Sequence, residues 1–510
     1  MAIEFSITSL TWSNILGIFA SAALLYYIVS VIYTWSCLRK VPGPFFAAFS
    51  YLWALSTVTA GQEPWIYTAL AKKYGHLIRV GPRLLLTDDP DVLRRMSGVR
   101  SAYGKDEFYT GAIRHPDYLT MFSTLDIPMH DAIKANLASP YGGRETLAME
   151  PIVDDMVKAF LRNIRRKTSK SSDLSTVINF VDIVSYFTLD TITRIAFGKA
   201  MGFLETDSDV GGLFAASRLA LKTYTIPLAT PWLRRITLSK WFLKTLGPRP
   251  TDKKGFGVIM GAAEQAVKER YKPGAPDEKD LLGAFIRHGL PEGPCLSEIL
   301  FSITAGSDTT ASTVRCTMLY LMSTPRVYNK LKAVISEAIS KGIISSPIKQ
   351  EEAKAIPYLQ AVIYEGLRMR PPVPAMFPKV VPPQGDEIDG KFIPGGTSIG
   401  WNLIPMMRSP RYWGHDPDIF RPERFMEADN KARMLMERNV EMVFGYGRYG
   451  CAGKPLAFME LNKIYFELFR NFDFQLVNPM KPWDSECWSI WVEDNFFVQV
   501  TESVTESRAV

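Results

Sequence analysis

Phe444-Gly445-Tyr446-Gly447-Arg448-Tyr449-Gly450-Cys451-Ala452-Gly453 places four glycines and a cysteine in ten residues, and two chemistries compete for it. Gly445, Gly447 and Gly450 spell G-x-G-x-x-G, with apolar Met442 to Phe444 before them and a helical pattern from Ala452 to Arg470 after them. Asp473, about 20 residues on, stands where an acid binds a ribose in a dinucleotide fold. On this reading the chain is an NAD-dependent dehydrogenase using the Gly445–Gly450 loop. The context opposes it: fewer than 40 residues follow Asp473, too few for the remaining crossovers of a doubly wound sheet.

The second reading takes Phe444, Gly447, Cys451 and Gly453 together. A thiolate needs positive or donor groups beside its sulfur, and a helix beginning just after Cys451 supplies backbone N–H groups and a positive dipole end. Glycines let the loop backbone approach both that sulfur and a flat macrocycle. Earlier in the chain, Ala305-Gly306-Ser307-Asp308-Thr309-Thr310 sits inside an apolar helix expected from Ser297 to Met322. Glycine there costs about 1 kcal/mol relative to alanine and an acid is unwelcome, so something other than helix stability selects them. If this helix crosses the open face of such a macrocycle, Gly306 makes room for oxygen or substrate, and the Thr309 hydroxyl can hydrogen-bond dioxygen and relay protons that Asp308 links to solvent. The plainer alternative is a Ser/Thr segment bonding its own carbonyls, with Asp308 paired to a cation.

With these residues in place the chain resembles the cytochrome P-450 superfamily, from an N-terminal anchor to the C-terminus. Phe444, Gly445, Gly447, Cys451 and Gly453 stand where that family has its heme-binding loop, and Ala305 to Thr310 matches its oxygen-activation motif. The resemblance implies heme b, its iron held by the Cys451 thiolate, which pushes electron density toward oxygen and favours O–O cleavage. It also implies catalytic roles for Thr309 and Asp308, and cofactor contacts for Phe444, Gly447 and Gly453. The family's usual Arg or His two residues before the cysteine is here Tyr449, with Arg448 displaced by one. Its usual Trp or His followed by Arg is here His130 with Lys134, a relaxed propionate clamp that Lys379 could assist. Glu365 and Arg368, at i and i+3 on one helix face, would by themselves form a weak surface pair. With Arg424 they match the family's Glu-x-x-Arg and meander positions, which implies a buried charge network under the heme loop.

Of the 510 residues, 47% are hydrophobic, and the net charge of +7 comes from 59 basic and 52 acidic side chains. The basic residues form no arm interleaved with aromatics, so no nucleic-acid ligand is indicated. Five cysteines, Cys37, Cys295, Cys316, Cys451 and Cys487, include no Cys-x-x-Cys pair; neither a disulfide framework nor a zinc ribbon fits. No charged residue occurs from Phe5 to Leu38, and Arg39 and Lys40 follow at once. About 20 such residues span a bilayer core, and the positive-inside rule places the remainder in the cytosol. Residues 1–12 then read as a short lumenal N-terminus, 13–38 as a transmembrane anchor, 39–60 as a basic, proline-rich hinge and 61–510 as the catalytic domain.

The expected architecture is mostly α with minor β sheets behind a single N-terminal transmembrane helix. His76 to Val80 and Arg83 to Thr87 read as strands, with Asp89-Pro90 opening a helix. Breaks fall at Gly247-Pro248 and at Pro291 to Pro294. Further helices start at Thr324-Pro325, with Thr324 as cap, and at Pro357, the latter stopped by Pro371-Pro372. A hairpin system around Asp389-Gly390 ends near Asn402.

From the resemblance, pocket walls are expected in Tyr103 to Phe122, at Phe301 and Ala305, in Val373 to Met376 and in Trp488 to Trp491; their apolar content favours a hydrophobic substrate. Gly453-Lys454-Pro455-Leu456 looks like filamentous fungal members of secondary metabolism related to the pisatin demethylase branch. The implied partners are an NADPH-cytochrome P-450 reductase, a hydrophobic small molecule and membrane lipid, at the endoplasmic reticulum. Besides the dehydrogenase, a heme-binding membrane protein without turnover and an enzyme of this fold that isomerises or dehydrates without reductase stay open.

Overall fold

The structure, a computed structural model, describes residues 12–142, 145, 148–170 and 175–503; most of the expected lumenal segment 1–12 lies outside them. A 26-residue helix, Trp12–Cys37, occupies the expected anchor, and its apolar side chains are exposed along nearly its whole length. At about 1.5 Å per residue it exceeds the hydrocarbon thickness of a bilayer. Its end meets the body through Trp35 on Phe49, ring centroids 6.4 Å apart, and through Arg79, which donates to the carbonyls of Thr34 and Ala48 at 3.2 Å. The stretch 39–60 carries, besides its prolines, a 3-10 turn Phe45–Ala48 and a helix Leu52–Thr59.

The body is mostly helical with small sheets. A five-stranded sheet runs in the order Leu77–Gly81, Leu84–Thr87, Ser398–Trp401, Lys379–Val380, Gly104–Lys105. Only Leu84–Thr87 with Ser398–Trp401 is parallel. Asp89 caps the helix Pro90–Ser97 by accepting from the N–H groups of Asp91 and Val92, as an N-cap before an N1 proline should. Asp386–Ile388 and Lys391–Ile393 form the expected hairpin about Asp389-Gly390. A second hairpin, Asp484–Trp488 with Ile490–Asp494, turns at Ser489, whose φ is +63°.

The long helix is the axis of the molecule. It begins at Glu292, before the expected Ser297, because Pro291 and Pro294 fall outside or within the first turn, where no intrahelical N–H is needed. It packs along Phe180–Phe197, and Phe256–Arg270, Pro357–Met369 and Lys454–Asn471 close around it. Phe187, Ile303, Val314 and Tyr465 are among the fully buried side chains at these contacts. Buried Glu493 of the second hairpin accepts from Arg315 and Ser312 at 3.0 Å, which fixes that hairpin to the helix. Thr324 does stand before the helix Pro325–Ser340, but its side chain makes no capping bond; the N1 proline alone sets the start.

Glu365, Arg368 and Arg424 are all buried. Glu365 accepts from Nε and Nη2 of Arg368, both at 2.8 Å, and from Nε of Arg424 at 3.0 Å. The remaining donors of Arg368 go to the carbonyls of Met407, Pro417 and Ile419, so the network is hydrogen-bonded as well as charge-paired.

Candidate active site

The cysteine loop starts not from a strand but from a 3-10 turn, Glu441–Phe444, and among the described residues no parallel strand follows it; this removes the context a dinucleotide fingerprint requires. Gly445 (φ +75°) and Gly447 (φ +57°) occupy left-handed backbone, and a Cβ on Gly447 would lie 2.4 Å from the Ser97 carbonyl oxygen. The loop therefore lies flat against the end of Pro90–Ser97. Cys451 N–H donates to the Phe444 carbonyl at 2.6 Å, closing the loop on itself, while the Phe444 ring packs on Phe458 of the following helix, 5.4 Å away.

The helix after the cysteine begins at Lys454 with Gly453 before it. Backbone N–H groups of both residues point at the Cys451 sulfur. That sulfur keeps accessible surface yet sits deep among the chain's atoms, so it faces an internal gap. Burial raises the thiol's pKa, against the lowering effect of Gly453, Lys454 and the Lys454 charge. A thiol here ionises fully only with a further positive centre at the sulfur. The Tyr141 hydroxyl bonds Ser302 of the long helix, and burial, with smaller contributions from Glu298 and Cys451, raises its pKa.

Beside this loop lies a cluster of cations. Lys105 and Lys379 are cross-strand partners in the five-stranded sheet. Lys105 Nζ donates to the carbonyls of Met121 and Phe122 at 2.8 Å, and Lys379 Nζ to the Tyr109 hydroxyl. Both lie over the Tyr449 ring, at 5.3 and 4.5 Å. Burial lowers the pKa of Lys105 to about 7, and burial with repulsion from Lys105 holds that of Lys379 well below the usual lysine range. His130 packs edge-on against Tyr449 at 5.2 Å; burial, then Lys105, pulls it down to about 4, so it is neutral at pH 7. Lys134 donates to the carbonyls of Arg448 at 2.6 Å and Gly447 at 3.4 Å.

Tyr449 spends its hydroxyl on the Tyr103 carbonyl, and Arg448 turns away to Ser101 and Asp131. Among the described residues no carboxylate forms an ion pair with Lys105, Lys134 or Lys379. Unpaired buried ammonium groups are costly, and a flat group bearing two carboxylates would repay that cost. The residues present thus fit heme at the face of Cys451. Lys105 carries no local signal in the sequence, because the place of this lone lysine is set by strand pairing.

On the long helix, Thr304 to Gly306, Asp308 and Thr309 are only half-buried although most of their neighbours are interior, so this stretch borders the same kind of gap. Thr309 Oγ1 donates to the Ala305 carbonyl at 2.9 Å. Asp308 accepts from Ser217 of the helix Leu213–Leu228 at 3.1 Å, and burial raises its pKa against the pull of Arg315. A Cβ on Gly306 would lie 2.8 Å from Ile192 Cδ1, so its smallness also serves the packing of two core helices.

The expected walls are met in part. Phe122 stacks on Phe301 at 5.1 Å, and Phe377, held at φ +41°, links Phe122 (6.0 Å) to Phe108 (6.2 Å) and Trp401 (6.2 Å). Glu298, held up to about 7 by burial, accepts the Met121 N–H and pins this loop to the long helix. Trp491 is core rather than wall: it is buried, with Arg370 over its ring and its indole N–H on the Pro371 carbonyl.

Sequence comparison supports the same assignment. Residues 42–500 match the family model described as Cytochrome P-450. The chain is 45% identical over 469 residues to cytochrome P-450 monooxygenase aba1 of Botryotinia fuckeliana, covering 91% of this chain and 92% of that protein. It is 42% identical over 496 residues to ABA1 of Pyricularia oryzae (96% and 97% covered). Pisatin demethylase of Fusarium vanettenii, whose branch the cysteine helix resembles, is a more distant relative, 28% identical over 500 residues (94% and 92%). With the family model spanning the body and the relatives spanning nearly the whole chain, the protein belongs to the cytochrome P-450 family and is a cytochrome P-450 monooxygenase.

Proposed function

We propose that the chain inserts one oxygen atom of dioxygen into a hydrophobic small molecule, by hydroxylation, epoxidation or successive oxidations, as a membrane-anchored enzyme of fungal secondary metabolism. Family membership implies heme, a redox partner and a small-molecule substrate. The observation that carries the reading is the setting of Cys451, with donors behind its sulfur and unpaired buried lysines beside its loop. Cys451 would hold the heme iron through its thiolate, and Lys105, Lys379, Lys134 and neutral His130 would hold the propionates. Thiolate-ligated heme, when bound, supplies dioxygen activation and oxygen insertion.

The chain's own residues handle protons and access. Thr309 turns its hydroxyl from the Ala305 carbonyl to deliver a proton on the substrate side, and Asp308, with its raised pKa, resupplies it. The aromatic run from Phe108 to Phe301 excludes water and favours apolar substrates. Phe444 and Gly447 keep the loop packed behind the thiolate.

The apolar helix Trp12–Cys37 suggests a membrane anchor, and Arg39-Lys40 after it favours a single pass through the endoplasmic reticulum membrane with the catalytic domain, residues 61–510, cytosolic. Electrons then come from NADPH through a separate NADPH-cytochrome P-450 reductase. The test is a reduced, carbon-monoxide difference spectrum of the wild type and of Cys451→Ser, followed by turnover with reductase. The thiolate-heme band should be present in the first and absent in the second; its absence from folded wild type overturns the assignment of Cys451.

A further inference from the structure

Among the described residues four tryptophans are buried, and three of them use the indole N–H. Trp413 donates to the Met406 carbonyl at 2.9 Å, Trp491 to the Pro371 carbonyl at 2.8 Å and Trp488 to the Glu486 carboxylate at 3.0 Å. Trp401 is the exception. It is 4% exposed, and its Nε1 has no hydrogen-bond partner among the described residues. An indole can only donate, so burying it without an acceptor is a net cost to the fold. Buried polar groups are paired in folded chains as a rule, and a lone exception beside a binding site points to a ligand.

The strand register says where that ligand lies. Lys379 pairs with Lys105 on one side and with Ile399 on the other, and Trp401 stands two residues beyond Ile399. The pleat therefore puts the side chains of Lys105, Lys379 and Trp401 on one face of the five-stranded sheet. Lys379 Nζ lies 6.0 Å from the centre of the Trp401 ring and 4.5 Å from that of Tyr449, two residues before Cys451.

Acceptors around this face are already spent. The carbonyls of Met121, Phe122 and Thr124 take Lys105, the Phe377 carbonyl takes the Tyr109 hydroxyl, and the Met376 carbonyl takes the backbone N–H of Trp401 itself. Asp106, whose charge acts on Lys379, accepts from the Phe108 N–H at 2.7 Å and the Ser398 hydroxyl at 2.6 Å. What remains is two ammonium charges without a carboxylate and one indole N–H without an acceptor. An apolar ligand would satisfy none of them, and a hydroxyl brings no charge to set against two cations. A carboxylate, which is acceptor-only and charged, satisfies all three.

We propose that Trp401 donates its indole N–H to a propionate of the heme, joining Lys105, Lys379, Lys134 and His130 in one cradle. The ammonium groups supply charge, and the indole N–H supplies a fixed direction. The proposal rests on the heme-thiolate reading above and adds a positioning residue to that same site.

The experiment loads full-length protein with mesoheme or with etioheme III, which carries ethyl groups in place of the two propionates, and follows heme release to excess apomyoglobin. Trp401→Phe, which keeps a ring against Phe377, should release mesoheme about tenfold faster than wild type and etioheme III within about twofold of the wild-type rate. Ultraviolet resonance Raman spectra give a readout that needs no variant: wild type holding mesoheme should show one more hydrogen-bonded indole N–H than wild type holding etioheme III. Equal acceleration with both hemes, the mark of a packing role, overturns the proposal, and so does an unchanged mesoheme rate. An N–H that is hydrogen-bonded with either heme belongs to a water, and one that becomes so only when lauric acid is added belongs to a substrate carboxylate; both results overturn it. The carbon-monoxide band separates the two readings. An intact band with no difference between the hemes overturns only the role of Trp401, whereas a missing band in heme-loaded wild type overturns the heme-thiolate reading and this one with it.

Discussion

Lys105 and Lys379 face one another across the antiparallel pairing of Gly104–Lys105 with Lys379–Val380, two buried cations joined to a tyrosine and to carbonyls but not to a carboxylate among the described residues. Without a bound anion this arrangement opposes folding. Lys105 titrates near 7 in the folded chain and near its ordinary 10.5 when unfolded. Between those values the unfolded chain binds more protons, so stability rises with pH, by up to ~1.4 kcal/mol per pH unit for one such group. Heme-free protein should therefore melt at higher temperature at pH 9 than at pH 7. Heme propionates would raise both lysine pKa values and flatten the slope. Calorimetry of the two forms across this range checks the contrast; equal slopes would remove the propionate role. Lys379→Met should stabilise the heme-free chain while lowering heme retention about tenfold.

Removing Glu365 takes the carboxylate partner from Arg368 and one of two from Arg424, which keeps Asp416 at 3.1 Å. Glu365→Ala should cost about 3–5 kcal/mol and leave little heme-loaded protein. Because Arg368 also bonds three carbonyls, Arg368→Met should cost less than the loss of its carboxylate partner, and the double replacement less than the sum. Denaturant unfolding of the two singles and the double measures the coupling; additive losses would show that the pair does not act as a unit.

What the sequence disclosed and what it withheld follow from the range over which each signal acts. The cysteine loop, the anchor and the helix starts at Pro90, Pro325 and Pro357 are written in neighbouring residues, through positive-φ glycines, an uninterrupted apolar run and N1 prolines. Glu365 with Arg368 became readable as a buried pair only through Arg424 and the order of motifs. Lys105 was invisible because its meaning is set by a strand partner remote in the chain. Trp491 read as wall because an aromatic residue near a site looks the same from sequence whether it lines a gap or fills the core beneath it.

Thr309 donates to its own helix at rest, so its catalytic use needs only a rotation of the hydroxyl. Thr309→Ala should leave the carbon-monoxide spectrum unchanged while product formed per NADPH falls roughly tenfold, and Thr309→Ser should recover most of it. Oxygen, NADPH and product measured together give the coupling. An alanine variant as tightly coupled as wild type would reduce Thr309 to a helix residue bonding its own carbonyl.

Gly306 separates two meanings of a small residue in mid-helix. A methyl group added there meets Ile192 Cδ1 at 2.8 Å and Cγ1 at 3.1 Å, both on the far end of a side chain on the Phe180–Phe197 helix. Overpacking of this kind costs about 1–3 kcal/mol, partly offset by the ~1 kcal/mol that alanine gains over glycine in a helix. Gly306→Ala alone should therefore lower the melting temperature modestly, and Ile192→Ala alone should do so by leaving a cavity. Together the two fit, one methyl entering the space the other side chain vacates, so the double variant should be more stable than Ile192→Ala. If instead the glycine keeps space open for oxygen or substrate, Gly306→Ala should depress turnover at normal stability, and truncating Ile192 should restore nothing. Melting temperatures and turnover of the four proteins, measured side by side, distinguish packing from access.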